Sequence, residues 1–586
     1  MNTPPESPVV PVRKRASWSG QLAFVLAAAA SAIGLGNLWR FPYLAAQYGG
    51  GTFIVVYLAL VVTLGFTLMV TEIAIGRMTQ QSQLTAYSKL HRGFGPLGLL
   101  ATVIPIVIVP YYCVIGGWVL KYFWTYLRMV FNPGENPFAD ASGFFGSFVG
   151  ASFAPFGYGL VFILVCALVI ALGVKNGIEK SNLVLMPLLF VMAIGIAVYV
   201  VCLPGSGAGI RYYLVPNLDA LSAADGSFSF AQLGKTILGA MGQMFYSLSL
   251  AMGIMITYGS YMRKGDSIER SVRRIEIFDT LIAIVAGLMI IPAVYMFAVK
   301  NPKDVTPAEL EKAGGNVELV QSFAEENIRA LEFSEADLAK LGKKYEVEAE
   351  EAAVRAKLLE DWKSQPVRIA QLDEAAEHAA ATAGAAPAGA ESPEAVNREK
   401  GRELSIKKSM NGGVGLMFMT LPTVFADFGR VGALVGAVFF LLVAFAALTS
   451  AISLYEACVA SVCDLLGMKR RNATFFMFFV IAFLSVFSAL GFGVWGSLTP
   501  FGMDFLTFFD FITNAVLMPI VAIVTCIFVG WVIKPKVIED EILKGEPRFV
   551  ARGLYNVMVK YVAPVLIGAV LVSEICRNLG LFGWSI

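Results

Sequence analysis

Histidine is almost missing from this 586-residue chain; only His91 and His378 occur. A histidine-built zinc site and a Ser–His–Asp triad are therefore excluded. Charge is scarce too: 15% of residues are Asp, Glu, Lys or Arg, against about 25% in soluble proteins. Hydrophobic residues make up 57%. These figures exclude a disordered chain, a small disulfide scaffold and nearly any soluble enzyme of this length. The seven cysteines (Cys113, Cys166, Cys202, Cys458, Cys463, Cys526 and Cys576) lie in or beside apolar runs without a CxxC pair. They read as buried small hydrophobes, not as disulfides or metal ligands. No cleavable signal peptide is expected, because residues 1–18 are Pro-rich and basic and the first apolar run is too long. No nucleic-acid partner is expected.

What is abundant is apolar sequence in long runs. A membrane helix needs about 20 apolar residues. Eleven runs qualify, at roughly 19–44, 51–78, 97–128, 156–174, 180–203, 229–262, 271–299, 431–463, 472–492, 501–533 and 552–576. Bases cluster on alternate loops: Arg13, Lys14 and Arg15, then Lys89 and Arg92, Lys175 and Lys180, Arg263, Lys264, Arg270, Arg273 and Arg274, Lys469 to Arg471, and Lys534, Lys536, Lys544 and Arg548. The positive-inside rule then predicts a cytoplasmic N-terminus and, with eleven spans, a C-terminus outside.

One polar island interrupts this pattern. Residues 301–410 hold 22 acids and 15 bases, a balance of −7, whereas the remainder holds 21 acids and 30 bases, a balance of +9. The island falls between spans seven and eight, on the outer face. It reads as an Ala/Glu/Lys-rich helix (EAEEAAVRAKLLEDW) followed by an Ala/Gly/Pro linker (AAATAGAAPAGAESPEA). A solvated insertion without a site is one reading and an interaction module or lid is the other. Its partner, if it has one, is unknown from sequence.

Span one carries polar groups where an anchor would have none. In AAAASAIGLGNLWRFPY, Gly34 and Gly36 flank Leu35, and Asn37 and Arg40 follow. Each glycine weakens a helix by about 1 kcal/mol, and an Arg at bilayer depth costs roughly 2.5–3.5 kcal/mol on the mildest scale. A helix broken here frees N–H groups suited to a carboxylate and carbonyls suited to a cation. Span six has a matching string, GAMGQMFYSLSLAMG, with Tyr246, Ser247 and Ser249 between Gly242 and Gly253. Interrupted helices five spans apart point to an inverted-repeat secondary transporter with a midplane site.

The strings GLGNLWRFPYLAAQYGGG, GQMFYSLSL, FAALTSA and GMDF together resemble the neurotransmitter:sodium symporter family, over nearly the whole chain except 301–410. The resemblance implies an all-α, LeuT-like fold of two inverted five-helix repeats plus an eleventh helix, in a bacterial inner membrane. It divides the chain into a cytoplasmic segment (1–18), a first repeat (19–203), the start of the second (204–300), the insertion (301–410), the rest of the second repeat (411–533) and a final span (534–586). It implies sodium-coupled symport by alternating access, with no enzymatic activity.

By the same resemblance, the first sodium ion is held by the Ala32 carbonyl, Asn37, Ser247 and the substrate carboxylate. The second is held by carbonyls of Ala30, Ile33 and Ala446 and hydroxyls of Thr449 and Ser450. Leu35 and Gly36 amides and the Tyr112 hydroxyl are expected to take a carboxylate. Carbonyls of Ala32, Tyr246 and Ser247, with the Ser249 hydroxyl, are expected to take an ammonium. Ile108, Met252 and Leu454 would line a side-chain pocket with Ser453 at its edge. Glycine at position 34, where monoamine carriers have an acid, leaves room for the carboxylate of an amino acid. The apolar lining favours a neutral, hydrophobic one.

Asp279 departs from the family pattern. Aligned on Gly287 it falls at the first sodium site; aligned on Pro292 the register slips by one. It could supply a fixed negative charge where relatives use chloride held by Tyr57, Gln243 and Ser247, making transport chloride-independent, or it could pair with Arg273 or Arg274. The resemblance further implies an outer gate of Arg40 and Asp504 under Tyr112 and Tyr246. The inner gate would join Arg15 and Asp464 beside Trp18, Ser260 and Tyr261. Gly177 and Pro187 would mark a fifth helix that unwinds at its cytoplasmic end. Glu72 reads as a structural hydrogen-bonding acid. The competing readings are another small zwitterion such as taurine or a betaine, and a substrate-binding sensor with the insertion as its output arm.

Overall fold

In the computed structural model the described residues are 15–578 apart from 133, 223–226, 319–324, 326–327, 330, 346, 349, 365–371, 373–392 and 411–413. Nine of the helices among them are long and apolar enough to cross a membrane. A tenth span is the bent pair α1 (Gln21–Ala32) and α2 (Gly36–Gln47), which meet at 52°. The nine are α3 (Gly51–Thr79), α4 (Arg92–Phe131), α5 (Ala154–Ala171), α6 (Val174–Val201), α9 (Ile268–Lys300), α11 (Val431–Leu466), α12 (Arg470–Leu490), α13 (Phe505–Val532) and α14 (Arg552–Cys576). A second interrupted helix is the pair α7 (Phe230–Ser247) and α8 (Ile254–Gly259), split by residues 248–253. A shorter apolar helix, α10 (Leu416–Asp427), crosses one end.

Burial sorts these helices into a centre and a rim. The apolar window of α4 is 72% buried and that of α14 only 22%, so α4 runs through the bundle and α14 along its surface. Side-chain hydroxyls in this apolar interior serve their own backbone. Thr63, Thr67 and Thr71 donate to carbonyls four residues back at 2.6, 2.7 and 2.7 Å, which satisfies polar groups that lipid cannot. Small residues let helices touch: a Cβ on Gly117 would lie 2.4 Å from the Gly159 backbone, and one on Gly76 only 1.9 Å from the Ile256 carbonyl.

At the end carrying Arg15, a buried arginine ties three segments. Arg77 Nε pairs with Glu541 at 2.8 Å, both side chains at most 2% exposed, and its Nη1 donates to the Asp266 carbonyl at 2.5 Å.

The insertion stands at the opposite end. Its root is knitted together: Lys303 N donates to Ser405, Lys408 pairs with Glu309, and Asn316 and Asn397 exchange two hydrogen bonds. Val305, Leu310 and Leu372 form a small core of their own. The expected Ala/Glu/Lys helix is Glu351–Ser364; of the expected linker, 379–392 lie outside the described residues.

Candidate functional site

The break between α1 and α2 is where the two glycines lie. Ile33 is extended (φ −77°, ψ 92°). A Cβ on Gly34 would sit 2.6 Å from Ser450 Oγ and 2.9 Å from the Tyr112 hydroxyl; one on Gly36 would sit 2.5 Å from the Tyr246 ring. A Cβ at either position would force a neighbouring side chain to shift. The Leu35 amide donates to the Tyr112 hydroxyl at 3.3 Å, and the Gly34 amide to Asn37 Oδ1 at 3.2 Å.

The break between α7 and α8 is held in left-handed backbone. Ser249, Ala251 and Gly253 have φ of 54°, 58° and 73°. Two of these are not glycine, a strained arrangement of the kind stored at ligand sites. Glu72 of α3 supports it, accepting the Ala251 amide at 2.7 Å. This fits the structural role expected of that acid. The Ser249 hydroxyl donates to the Ser31 carbonyl at 3.1 Å, and Ser450 donates to that same carbonyl at 3.0 Å.

Ser31, Ala32, Gly34, Gly36, Ile108, Tyr112, Tyr246, Ser249, Met252, Ser450 and Leu454 line a small cavity of about 20 Å³. Most of the expected substrate residues thus share one pocket. Ser453 does not: it accepts from the Tyr258 hydroxyl at 2.8 Å and donates to Thr449 O, so the edge position expected for it is corrected. Ser31, which the sequence reading passed over, is where three helices meet; a lone serine in an alanine run was its only signal.

Asp279 sits fully buried beside this pocket. It accepts from Asn37 Nδ2 at 2.8 Å, from Ser247 Oγ at 2.9 and 3.1 Å, and from the Tyr57 hydroxyl at 3.2 Å. The pairing with Arg273 is not formed, because Arg273 pairs with Glu269 at 2.8 Å; Arg274 is exposed. Gln243 donates instead to the Gly36 carbonyl at 3.0 Å. So two of the three side chains expected around chloride address a carboxylate.

At the second expected ion position, Ser450 Oγ lies 3.5 Å from the Ile33 carbonyl, and Thr449 Oγ1 lies 3.0 Å from that of Ala446. Ala30 and Ala446 are fully buried. These are uncharged hard oxygens, a donor type suited to an alkali cation.

The expected outer pair of Arg40 and Asp504 is corrected. Asp504 caps the start of α13, accepting from the Thr507 amide at 3.0 Å and its hydroxyl at 2.6 Å. The acids in electrostatic reach of Arg40 are Asp510, nearly two turns further along, and Glu574; Asp510 accepts from the Tyr111 hydroxyl at 3.1 Å. Arg40 lies over the Tyr246 ring at 5.6 Å, so arginine and aromatic cover the cavity together. An Asp six residues from another in one helix start gave the sequence no means of choosing.

The Arg15 end is shut. Arg15 binds both Asp464 oxygens at 2.7 and 2.8 Å, donates to Ser260 at 2.9 Å, and lies 5.1 Å from the Tyr261 ring centre. Trp18 plugs the gap, donating to the Tyr258 carbonyl at 3.1 Å. Behind it is a pair the sequence reading missed: Glu456 accepts from Tyr261 at 2.7 Å and from Arg470 Nη1 at 2.8 Å. In α6, residues 174–179 form a wide turn that runs on through Pro187. Gly177 is required there, since a Cβ would lie 1.9 Å from the Val169 carbonyl. The segment expected to unwind is therefore wound in this closed conformation.

Two broken helices facing each other across a small midplane cavity define a membrane carrier of the inverted-repeat class. The sequence profile of the sodium:neurotransmitter symporter family matches residues 15–135 and 156–581, and the chain belongs to that family of sodium-coupled transporters. An uncharacterized sodium-dependent transporter of Haemophilus influenzae is 24% identical over 96% of this chain and 99% of its own. A second, YhdH of Bacillus subtilis, is 33% identical, but over 49% of this chain and 61% of its own. The crystal structure of MhsT in complex with L-phenylalanine is similar with a TM-score of 0.69 and 28% identity, covering 96% of this chain and 100% of that one.

Proposed function

We propose that this chain imports a neutral, hydrophobic amino acid together with two sodium ions, without chloride. The observation that carries the reading is the pocket itself: a glycine at position 34 facing Tyr112 and Ser450, with Ile108, Met252 and Leu454 on its apolar side. The substrate carboxylate would lie at the Leu35 and Gly36 amides, completing the shell of the first sodium ion with Asn37 and Ser247. Its ammonium would face the carbonyls and the Ser249 hydroxyl at the other break. The substrates printed for two similar proteins support an amino acid: L-phenylalanine for MhsT, and neutral amino acids for the bovine transporter B(0)AT2, 25% identical over 47% of this chain.

The Asp279 carboxylate, bonded to Asn37, Ser247 and Tyr57, supplies one fixed negative charge beside that first ion, which supports chloride independence. Alternating access follows from two closures on opposite sides of the pocket. The Arg15–Asp464 lock, proposed to face the cytoplasm, opens with unwinding of α6 near Gly177. The Arg40–Tyr246 cover, with Asp510 behind it, opens outward.

Uptake of a radiolabelled neutral amino-acid panel into proteoliposomes tests this, with inward sodium or choline and with chloride or gluconate. Sodium-driven accumulation of apolar amino acids, unchanged in gluconate, is expected. Saturable sodium-dependent binding without accumulation would replace the symporter with a sensor. Strict chloride dependence would remove the role given to Asp279.

A further inference from the structure

A second cavity, of about 290 Å³, lies well away from the pocket, at the insertion end. Its volume is at the lower limit of ordinary ligand sites, roughly 300 Å³. Leu203 at the end of α6, Met296 and Phe297 of α9, and Val424 and Phe428 of the α10 region wall it. The rim carries one ion pair: Lys300 Nζ meets both oxygens of Asp427 at 2.9 and 3.0 Å. Those side chains are 65% and 36% exposed.

The surroundings place the cavity at a lipid surface. Val191, Ile194 and Val198 of α6 and Val299 of α9 are exposed apolar side chains on the helices that flank it. Tyr199 packs on Phe428, which walls the cavity, and Tyr212 packs on Tyr295, next to Met296, and tyrosines are enriched at the membrane–water interface. An apolar cleft with one cation and one anion at its mouth matches an amphiphile with one anion and one cation in its head group. Lys300 has donors to spare and Asp427 has acceptor lone pairs to spare, and an exposed ion pair is weak enough to rearrange.

We propose that this cavity binds a zwitterionic phospholipid with a primary ammonium head group, phosphatidylethanolamine. The phosphate meets Lys300, the ammonium meets Asp427, and the start of an acyl chain enters the cleft between α9 and α10. A choline head group has no N–H to donate to Asp427 and binds less well.

The test uses the full chain in nanodiscs containing phosphatidylethanolamine with a photoreactive acyl chain, and cross-linked peptides are mapped by mass spectrometry. Labelling is expected in the peptides covering 293–300 and 421–428. It should fall about fivefold, equivalent to about 1 kcal/mol, in Met296→Trp, which fills the cleft. The double variant Lys300→Gln with Asp427→Asn changes only the exposed rim and should give a similar fall. Phosphatidylcholine with the same reactive chain should label less. Labelling elsewhere only, labelling unchanged in both variants, or equal labelling by phosphatidylcholine overturns the proposal.

Discussion

Single residues decide whether this pocket has room and charge. Gly34→Ala would drive a Cβ to within 2.6 Å of Ser450 Oγ, so substrate binding is expected to drop by at least about tenfold, a loss of about 1.4 kcal/mol, measured by scintillation proximity. Glu72 holds the strained turn through the Ala251 amide. Glu72→Ala leaves that buried amide unpaired, at a cost of about 1–3 kcal/mol, whereas Glu72→Gln keeps an acceptor. Binding is therefore expected to weaken strongly in the first variant and little in the second; equal loss in both would show that the charge, not the hydrogen bond, matters. Asp279→Asn removes the only carboxylate bonded to Asn37 and Ser247 among the described residues. It leaves the Tyr57 and Ser247 hydroxyls as donors with no anion to meet. Uptake by this variant is expected to become chloride-stimulated, while that of the parent is not, in a comparison of chloride with gluconate buffers.

Elements were legible where their signal was local. Of the eleven apolar runs, nine coincide with helices long and apolar enough to cross a membrane and a tenth with the bent pair, and the two glycine-flanked polar strings coincide with the two breaks, because bilayer length and unsatisfied backbone groups restrict what such segments can form. Pairings across the bundle were less legible. Arg15 and Asp464 meet as expected, yet Asp504 caps its own helix while Asp510 faces Arg40. Position along a helix start does not say which acid turns inward. Ser453 was misplaced for a related reason, since one step around α11 separates the cavity wall from the contact with Tyr258. The buried Arg77–Glu541 pair, between α3 and the short helix Pro535–Ile542 that follows α13, had no sequence signal. Its energetics are nonetheless predictable. Arg77→Ala leaves Glu541 with Lys544 as an ion partner but takes the donor from the Asp266 and Glu541 carbonyls, and is expected to cost at least about 1–3 kcal/mol. Arg128→Ala breaks a pair more than half exposed on both sides, and the change should stay within about 1 kcal/mol. Melting followed by fluorescence-detected size exclusion should thus show a lower melting point for Arg77→Ala than for Arg128→Ala; equal melting points would mean that the helix Pro535–Ile542 is not anchored through Arg77.

At the scale of the whole molecule, the proposed stoichiometry has a voltage signature. If the substrate carboxylate completes the first sodium shell, each ligand must tighten the other by the same factor. Substrate affinity measured against sodium, and sodium affinity measured against substrate, should therefore shift equally. With two sodium ions and a zwitterion, two charges cross per cycle. Each is worth about 2.3 kcal/mol per 100 mV, so the membrane potential contributes about 4.6 kcal/mol, or roughly a thousandfold accumulation at about 1.4 kcal/mol per decade. Were Asp279 instead to bind a proton from the inside, carry it on the empty return step and release it outside, one charge would be exported per cycle and the factor would fall to roughly fortyfold. Proteoliposomes with equal sodium on both sides, clamped at a series of potassium diffusion potentials, separate these cases by slope alone. About three decades of accumulation per 100 mV is the expected result. A slope near half of that would leave the fold and the pocket untouched and would mean one net charge per cycle, either by proton return on Asp279 or by loss of the second sodium ion, whose position rests on neutral carbonyl and hydroxyl groups of Ile33, Ala446, Thr449 and Ser450, while the first lies beside the buried Asp279 carboxylate.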